Sequence, residues 1–311
     1  MENIMNILIS GATGFVGQNL ANHLKEHHNI YALGRDKIKI KNIFPSLDSN
    51  AIHYITWQEL NSYNAQDFDV IINLAGETIN HLFWSTKTKI NILNSRVETT
   101  KTLVDWCSKA INKELHFLNA SAISIYGLYD KKTRLSNTEN TIIQPHDDFL
   151  SKIAFAWEEE VKKLKDCNID YTLLRFAVIL GKNGGALNKL LAPAKFGLAA
   201  RLGNGQQPFA WIVIEDLIRA IDFIITKRLL GPINMVAPEI TTQDEFYSEL
   251  SKSLNKPYFL KIPAIIIKLF LRKMGQELLI KGQNAAPEVL ITNGFLFKFN
   301  HLTELVKYIK E

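Results

Sequence analysis

Residues 11–17 read Gly11-Ala12-Thr13-Gly14-Phe15-Val16-Gly17, three glycines spaced GxxGxxG between an apolar run and a helical pattern. Glycine at these spacings lets a chain turn tightly and lets its backbone approach a pyrophosphate, which then lies at the positive N-terminus of the helix. Gly11, Thr13, Gly14, Phe15, Val16 and Gly17 are therefore candidate dinucleotide contacts. The order strand, turn, helix separates this fingerprint from an ordinary glycine turn. An NAD-binding chain usually carries an acid about 20 residues further on, for the ribose 2′-OH. This chain has Leu33-Gly34-Arg35 there, with Lys37 close behind. A ribose 2′-phosphate carries up to about two negative charges, so Arg35 favours NADP over NAD. Asp36, between the two cations, is expected to point to solvent.

A second set of polar residues follows later apolar runs. In doubly wound sheets ligands lie outside the carboxyl ends of the strands. Glu77 follows the run 69–74 and Tyr126 follows the run 115–120. Glu77 is expected to order the cleft or handle a proton, with Arg96 as counter-charge; an ordinary ion pair is the bland alternative. Tyr126 is the nearest phenol for proton transfer, and a packing tyrosine is its alternative. Arg175 lies inside an apolar strand, where a charge is costly without a partner, so it is expected to anchor a structural network. Trp211 is expected in the core. The histidines show no metal-ligand spacing. Cys107 and Cys167, the only cysteines, form no CxxC motif and read as reduced thiols.

These residues need a scaffold, and the first half supplies a regular one. Residues 5–10 (MNILIS), 29–33, 69–74, 115–120 and 171–180 read as buried strands, with helical patterns following the glycine turn and over 87–110 and 157–165. Strands alternating with helices predict a parallel sheet covered on both faces. From Gly181 the chain becomes loop-rich, then a helix over 216–226 leads to the Gly231-Pro232 turn. The fold class is α/β: a Rossmann doubly wound parallel sheet with a smaller α+β C-terminal lobe. The predicted division is 1–230 for dinucleotide binding, part of 181–212 joining the other lobe, and 231–311 for a cap over substrate. The last helix presents Leu302, Leu305, Val306 and Ile309 on one face.

Composition narrows the class. With 47% hydrophobic and 22% charged residues the chain has a globular mix, neither disordered nor rod-like. The net charge of +5, from 36 Lys+Arg and 31 Asp+Glu, is spread along the chain, which disfavours a nucleic-acid surface and suits a pocket for a small anion. Residues 1–10 lack the basic-then-apolar order of a signal peptide. The apolar stretch 262–271 is too short for a bilayer, which takes about 20 residues. A cytoplasmic protein with a small-molecule substrate, no nucleic-acid partner and no membrane partner is expected, with a homodimer left open.

Joined to Asn73-Leu74-Ala75-Gly76 and to Ser121 through Tyr126-Gly127, the glycine turn resembles that of extended short-chain dehydrogenases, of which nucleotide-sugar epimerases and dehydratases are the best-known members. The segments 73–77 (NLAGE), 95–104, 173–185, 203–216 and 231–238, with Asn293-Gly294-Phe295 near the end, narrow this. They resemble the uncharacterised "epimerase family" proteins that carry a short C-terminal domain of unknown function. The resemblance implies NADP(H), a substrate lobe, and cofactor contacts at Leu74, Ala75, Gly76, Ser121 and Lys152. Active short-chain dehydrogenases pair a Tyr with a Lys four residues later on one helix, the Lys lowering the Tyr pKa. Here Lys152 fits the lysine, but the tyrosine position holds Asp148, and the serine position holds Ala122 between Ser121 and Ser124. A carboxylate already ionised at neutral pH is a poor acid, so Tyr126, Glu77 and Lys152 become the catalytic candidates. The expectation is an NADP(H)-dependent oxidoreductase or epimerase-like enzyme with a non-standard proton donor. The alternative is a non-catalytic NADPH-binding sensor or interaction protein.

Overall fold

Strand residues alternate between two faces, and in this chain both faces are apolar. Ile7 and Ile9 enter one core while Leu8, between them, enters the other. A strand buried on both sides can only sit inside a layered α/β sheet. The computed structural model describes residues 3–45, 52–81, 83–110, 114–133 and 136–310. Its main sheet has seven strands: β1 (Asn6–Ser10), β2 (Asn29–Gly34), β3 (Ile52–Thr56), β4 (Val70–Asn73), β5 (His116–Ala122), β6 (Asp170–Phe176) and β7 (Gly231–Met235). They are all parallel, in the order β7-β6-β5-β4-β1-β2-β3.

Helices α1 (Phe15–Leu24), α2 (Lys37–Ile43), α3 (Thr86–Cys107) and α4 (Phe149–Lys162) connect the strands. Leu20 and Leu24 of α1 cover one face of the sheet; Leu103 and Trp106 of α3, with Val161 of α4, cover the other. Reversal of strand order between β1 and β4 opens the crevice where such sheets hold ligands. The glycine turn lies at its mouth, between β1 and α1.

The run 171–180, expected as one strand, divides at Ala177. Its first part is β6; its second, Val178–Gly181, pairs with Trp211–Val213 in a separate small sheet. The Ala177 N–H bonds Met235 O and the Val178 N–H bonds Ala210 O, so the chain passes from one sheet to the next within one residue. Helix α5 (Leu187–Lys195) follows, and α6 (Ile214–Lys227) returns to the main sheet. The break expected at 230/231 falls at the start of a strand: Gly231–Met235 is the sheet's edge. Pairing with β6 decides this, because Ile233 and Met235 complete the core beside Leu174. The smaller lobe instead forms around Leu180, Leu191 and Trp211 from before that turn and Phe246, Leu250, Leu302 and Leu305 from after it. It contains α7 (Gln243–Ser253), α8 (Ala264–Gly275) and α10 (Leu302–Lys310), whereas α9 (Glu288–Thr292) packs Leu290 into the core of the main sheet.

One buried histidine makes this architecture sensitive to pH. His116 is 1% exposed, and its Nε2 lies 2.8 Å from Thr172 Oγ1. Thr172 donates its own proton to Leu229 O, so His116 Nε2 is the donor. Burial, then the nearby Arg228, against the opposing pull of Asp170, lowers the His116 pKa from 6.5 to about 4. Between those values the unfolded chain binds the extra proton, so stability falls as pH drops from 6.5 toward 4, by roughly 3 kcal/mol in total. Urea denaturation across that range is expected to show the slope in the parent chain and a flatter one in His116→Asn. Equal slopes would remove His116 as the cause.

Candidate functional site

The glycine turn is built so that backbone meets backbone. Gly11 has φ +71°, a left-handed conformation that favours glycine, and a Cβ there would stand 2.7 Å from Leu74 O. A Cβ on Gly17 would stand 2.4 Å from Gly11 O. These contacts bring β1, the first turn of α1 and the segment after β4 to one place. Gly14 is the N-cap of α1, with no side-chain cap, and no acid lies in the first turn. The leading N–H groups of a helix have no intrahelical acceptor, so a bound anion suits this end. Phe15 has a further role: a Cβ on Gly184 would come within 2.3 Å of its ring, and one on Gly181 within 2.5 Å. The glycines that read as a loop signal are thus the seat of an aromatic ring.

At the end of β2, Arg35 is exposed, and Asp36 beside it is committed elsewhere. The Asp36 carboxylate caps α2, accepting from the N–H groups of Ile38 and Lys39 at 2.9 and 3.2 Å. Lys37 is paired with Glu59 at 2.8 Å. That hydrogen bond, with further ones from Thr56, lowers the Glu59 pKa to about 2. Of these three charges, Arg35 alone has no hydrogen-bond or ion-pair partner among the described residues.

Beyond β4, the Glu77 N–H bonds Ser95 Oγ at 2.9 Å, and its carboxylate lies 3.2 Å from His81 Nε2. Arg96 packs over Gly76, where a Cβ would come within 3.1 Å of its guanidinium carbon. It donates to Ile92 O at 3.0 Å and lies over the Trp157 ring, 5.1 Å from its centre. Loss of hydration lowers the Arg96 pKa to about 10, against the pull of Glu77. Leu74, Ala75 and Gly76 pass between this cluster and the glycine turn, so the segment read as cofactor-binding has charge on one side and backbone N–H groups on the other.

The third region differs from the sequence reading. Ser121, Arg175 and Asn234 stand side by side across β5, β6 and β7. Arg175 Nε and Nη2 hold both oxygens of Glu158 at 2.8 and 2.9 Å, and Ser121 donates to Glu158 Oε1 at 2.7 Å. Arg175 Nη1 donates to Tyr126 Oη at 2.6 Å, and that hydroxyl donates to Asn234 Oδ1 at 2.9 Å. Tyr126 is 3% and Ser121 2% exposed. Both hydroxyls, expected at the cleft, are spent on this buried network. Burial raises the Tyr126 pKa despite Arg175. Burial alone would lower the Arg175 pKa, but its bonds to Glu158 outweigh this and hold it above the ordinary value.

Helix α4 explains the missing tyrosine. Asp148 is its N-cap, accepting from the Ser151 N–H at 2.9 Å. The N–H groups of Phe149 and Leu150 donate to Glu277, a buried carboxylate from the segment after α8. A capped residue lies at the helix edge, and a carboxylate there satisfies the helix end. Lys152 points outward and its Nζ lies 3.2 Å from exposed Asp147. Glu277, Glu158 and Asn234 were not picked out from the sequence, although Arg175 in an apolar strand demanded a buried acid. Helical spacing puts Glu158 on the buried stripe of Leu150, Ala154, Trp157 and Val161. A surface recess of about 370 Å³, lined by Lys132, Glu239, Glu245 and His301 among others, contains none of these groups.

Comparison with known proteins agrees with this geometry. Residues 7–235 match the NAD dependent epimerase/dehydratase family, and residues 262–309 match a domain of unknown function, DUF1731. The chain belongs to the NAD dependent epimerase/dehydratase family. Epimerase family protein SH2119 of Staphylococcus haemolyticus is 34% identical over 300 residues, 95% of each chain. Epimerase family protein YfhF of Bacillus subtilis is 32% identical over 303 residues, 96% of this chain and 95% of its own. Among solved structures, human epimerase family protein SDR39U1 with NADPH superposes with a TM-score of 0.84 at 26% identity, over 98% of this chain and 99% of its own. A UDP-glucuronic acid 4-epimerase from Bacillus cereus shares the fold, with a TM-score of 0.74 at 19% identity over 98% of this chain and 99% of its own. The epimerase/dehydratase fold thus accounts for the sheet and the glycine turn together. Among the described residues of this epimerase-like chain, no helix is long and apolar enough to cross a membrane.

Proposed function

We propose that the chain is an NADP(H)-dependent oxidoreductase or epimerase-like enzyme acting on a small polar substrate. The observation that carries the cofactor choice is Arg35 at the end of β2, with Asp36 turned away to cap α2. The glycine turn fits a dinucleotide: its close backbone contacts leave no room for side chains at Gly11 and Gly17, and its helix end carries no side-chain cap. A human family member with NADPH bound supports the same cofactor. In this reading the first-turn N–H groups of α1 hold the pyrophosphate, and Arg35 holds the 2′-phosphate. Lys152, tethered among the described residues only to an exposed Asp147, turns to the nicotinamide ribose. When bound, NADP(H) supplies hydride chemistry.

The proton belongs to Glu77. Its carboxylate is partly exposed at the end of β4, with His81 at 3.2 Å and Arg96 in electrostatic reach. Tyr126 is a positioning residue here, because its hydroxyl is committed on both sides. Titration should give tighter binding of NADPH than of NADH. Arg35→Ala should weaken NADPH by about 10- to 100-fold, the worth of a charge-assisted phosphate contact, and leave NADH nearly unchanged. Equal affinities in the parent chain would overturn the NADP assignment. A second reading, a non-catalytic NADPH sensor, is favoured by the cap at Asp148, where active relatives of the fold would need a phenol. Tight NADPH binding without turnover of any sugar nucleotide or small carbonyl compound would select it; turnover lost in Glu77→Gln would select the enzyme.

A further inference from the structure

The smaller lobe carries an apolar surface with no cover. Helix α8 buries Ile267, Met274 and Gly275 and turns Ile265, Leu269 and Phe270 outward at 75%, 73% and 67% exposure. Two neighbouring loops add to it: Phe259 is 72% exposed, Phe196 79% and Leu198 61%. These segments are adjacent in space. Strand Leu260–Ile262 pairs with Ala200–Leu202, and a Cβ on Gly197 would stand 3.3 Å from Pro257. Scattered apolar side chains are normal on a surface, but a contiguous group of this kind marks an interaction site.

The charges around the patch point to one occupant. Residues 251–276 contain six basic side chains and no Asp or Glu, and residues 171–214 also contain no acid. Lys261, Lys268, Arg272 and Lys273 are exposed, and none of these four enters an ion pair among the described residues. Lys268 lies between the exposed apolar side chains of α8, and Arg272 follows at a kink in the helix, with φ +50°. A second copy of this chain on a twofold axis would set these cations against one another, which disfavours self-association. An anionic lipid surface satisfies both features: the hydrocarbon boundary takes the Ile, Leu and Phe side chains, and the headgroups take the Lys and Arg. With 12 residues, α8 is far short of the roughly 20 needed to span, so it can only lie in the interface.

We infer that the α8 face is a peripheral docking site for membranes rich in anionic phospholipid. It would bring the cofactor-binding enzyme to a lipid surface, whether or not its substrate is itself lipid-linked. The test is co-sedimentation of the full chain with vesicles of phosphatidylcholine alone and of phosphatidylcholine containing about a third phosphatidylglycerol. Binding is expected to the anionic vesicles and not to the neutral ones, and to weaken as salt shortens the Debye length. Leu269→Asp with Phe270→Asp should abolish it. Lys268→Glu and Arg272→Glu should each weaken it about fivefold or more, the worth of one headgroup charge. All four side chains are exposed, so the variants should keep the parent's thermal melting and NADPH affinity. No binding to anionic vesicles, or binding unchanged in the variants, would overturn the inference. So would a dimer in sedimentation that those same substitutions dissociate while vesicles remain unbound, because the face would then be a contact between copies.

Discussion

Gly17→Ala is expected to lose measurable dinucleotide binding and to unfold more readily than the parent chain. Position 17 is inside α1, where alanine would ordinarily stabilise a helix by about 1 kcal/mol relative to glycine. The new Cβ would stand 2.4 Å from Gly11 O, 2.7 Å from Ala12 Cα and 3.0 Å from Ala12 C. All three are backbone atoms, so no side-chain rotation relieves the contact. The helix must back away from the turn. Overpacking of this kind costs about 1–3 kcal/mol, which exceeds the propensity gain. Retreat also withdraws the N–H groups that would meet the pyrophosphate, and each charge-assisted hydrogen bond lost costs about 1.5–3 kcal/mol, roughly 10- to 100-fold in affinity. Gly14→Ala is the informative contrast. Its Cβ would meet only Gly11 O at 3.2 Å, so stability should change by less than about 1 kcal/mol. Fluorescence titration with NADPH and urea denaturation separate the two effects. Parent-like affinity in Gly17→Ala would mean that the turn does not hold the dinucleotide.

The same contacts explain what could be read from residues alone. The glycine turn was legible because its constraint is local: spacing, strand and helix lie within one short stretch. The doubly covered sheet was legible for a similar reason, since apolar runs such as 69–74 can be buried on both sides only in such a fold. What escaped was set by distant partners. Nothing in residues 231–235 announces a sheet edge; pairing with β6 makes it one. The stretch 171–180 is uniformly apolar, and only the two different neighbours, Met235 and Ala210, split it at Ala177. At the candidate site, Asp148 was legible as a departure from the family's tyrosine but not as a cap, because Glu277 completes that cap from 128 residues away. Tyr126 was placed at the cleft by its position after β5. Its burial follows from Arg175 on β6 and Asn234 on β7, which spacing along the chain does not reveal.

Removing one side of the Glu158–Arg175 pair is expected to be among the most damaging single changes in the chain. Their side chains are 1% and 4% exposed, so neither charge has water to fall back on. Such pairs gain little over apolar residues of equal volume, but a lone buried charge left behind costs about 3–5 kcal/mol. Glu158→Met should therefore lower unfolding stability by about that amount, and Arg175→Met by a comparable one. The double variant should cost less than the sum, with a coupling of about 0.5–3 kcal/mol, because no charge is stranded. It should not regain parent stability in full, since Ser121 and Tyr126 also lose partners in the network. Additive losses in urea denaturation would mean that water reaches the pair. Tyr126→Phe joins stability to function. It leaves Arg175 and Asn234 each short of one bond, a loss of about 1–3 kcal/mol, while a positioning residue need not change the protonation behaviour of turnover. The pH–rate profile should then keep its shape. A profile that lost one limb in Tyr126→Phe, with stability unchanged, would return the phenol to the chemistry and displace Glu77 as the proton carrier.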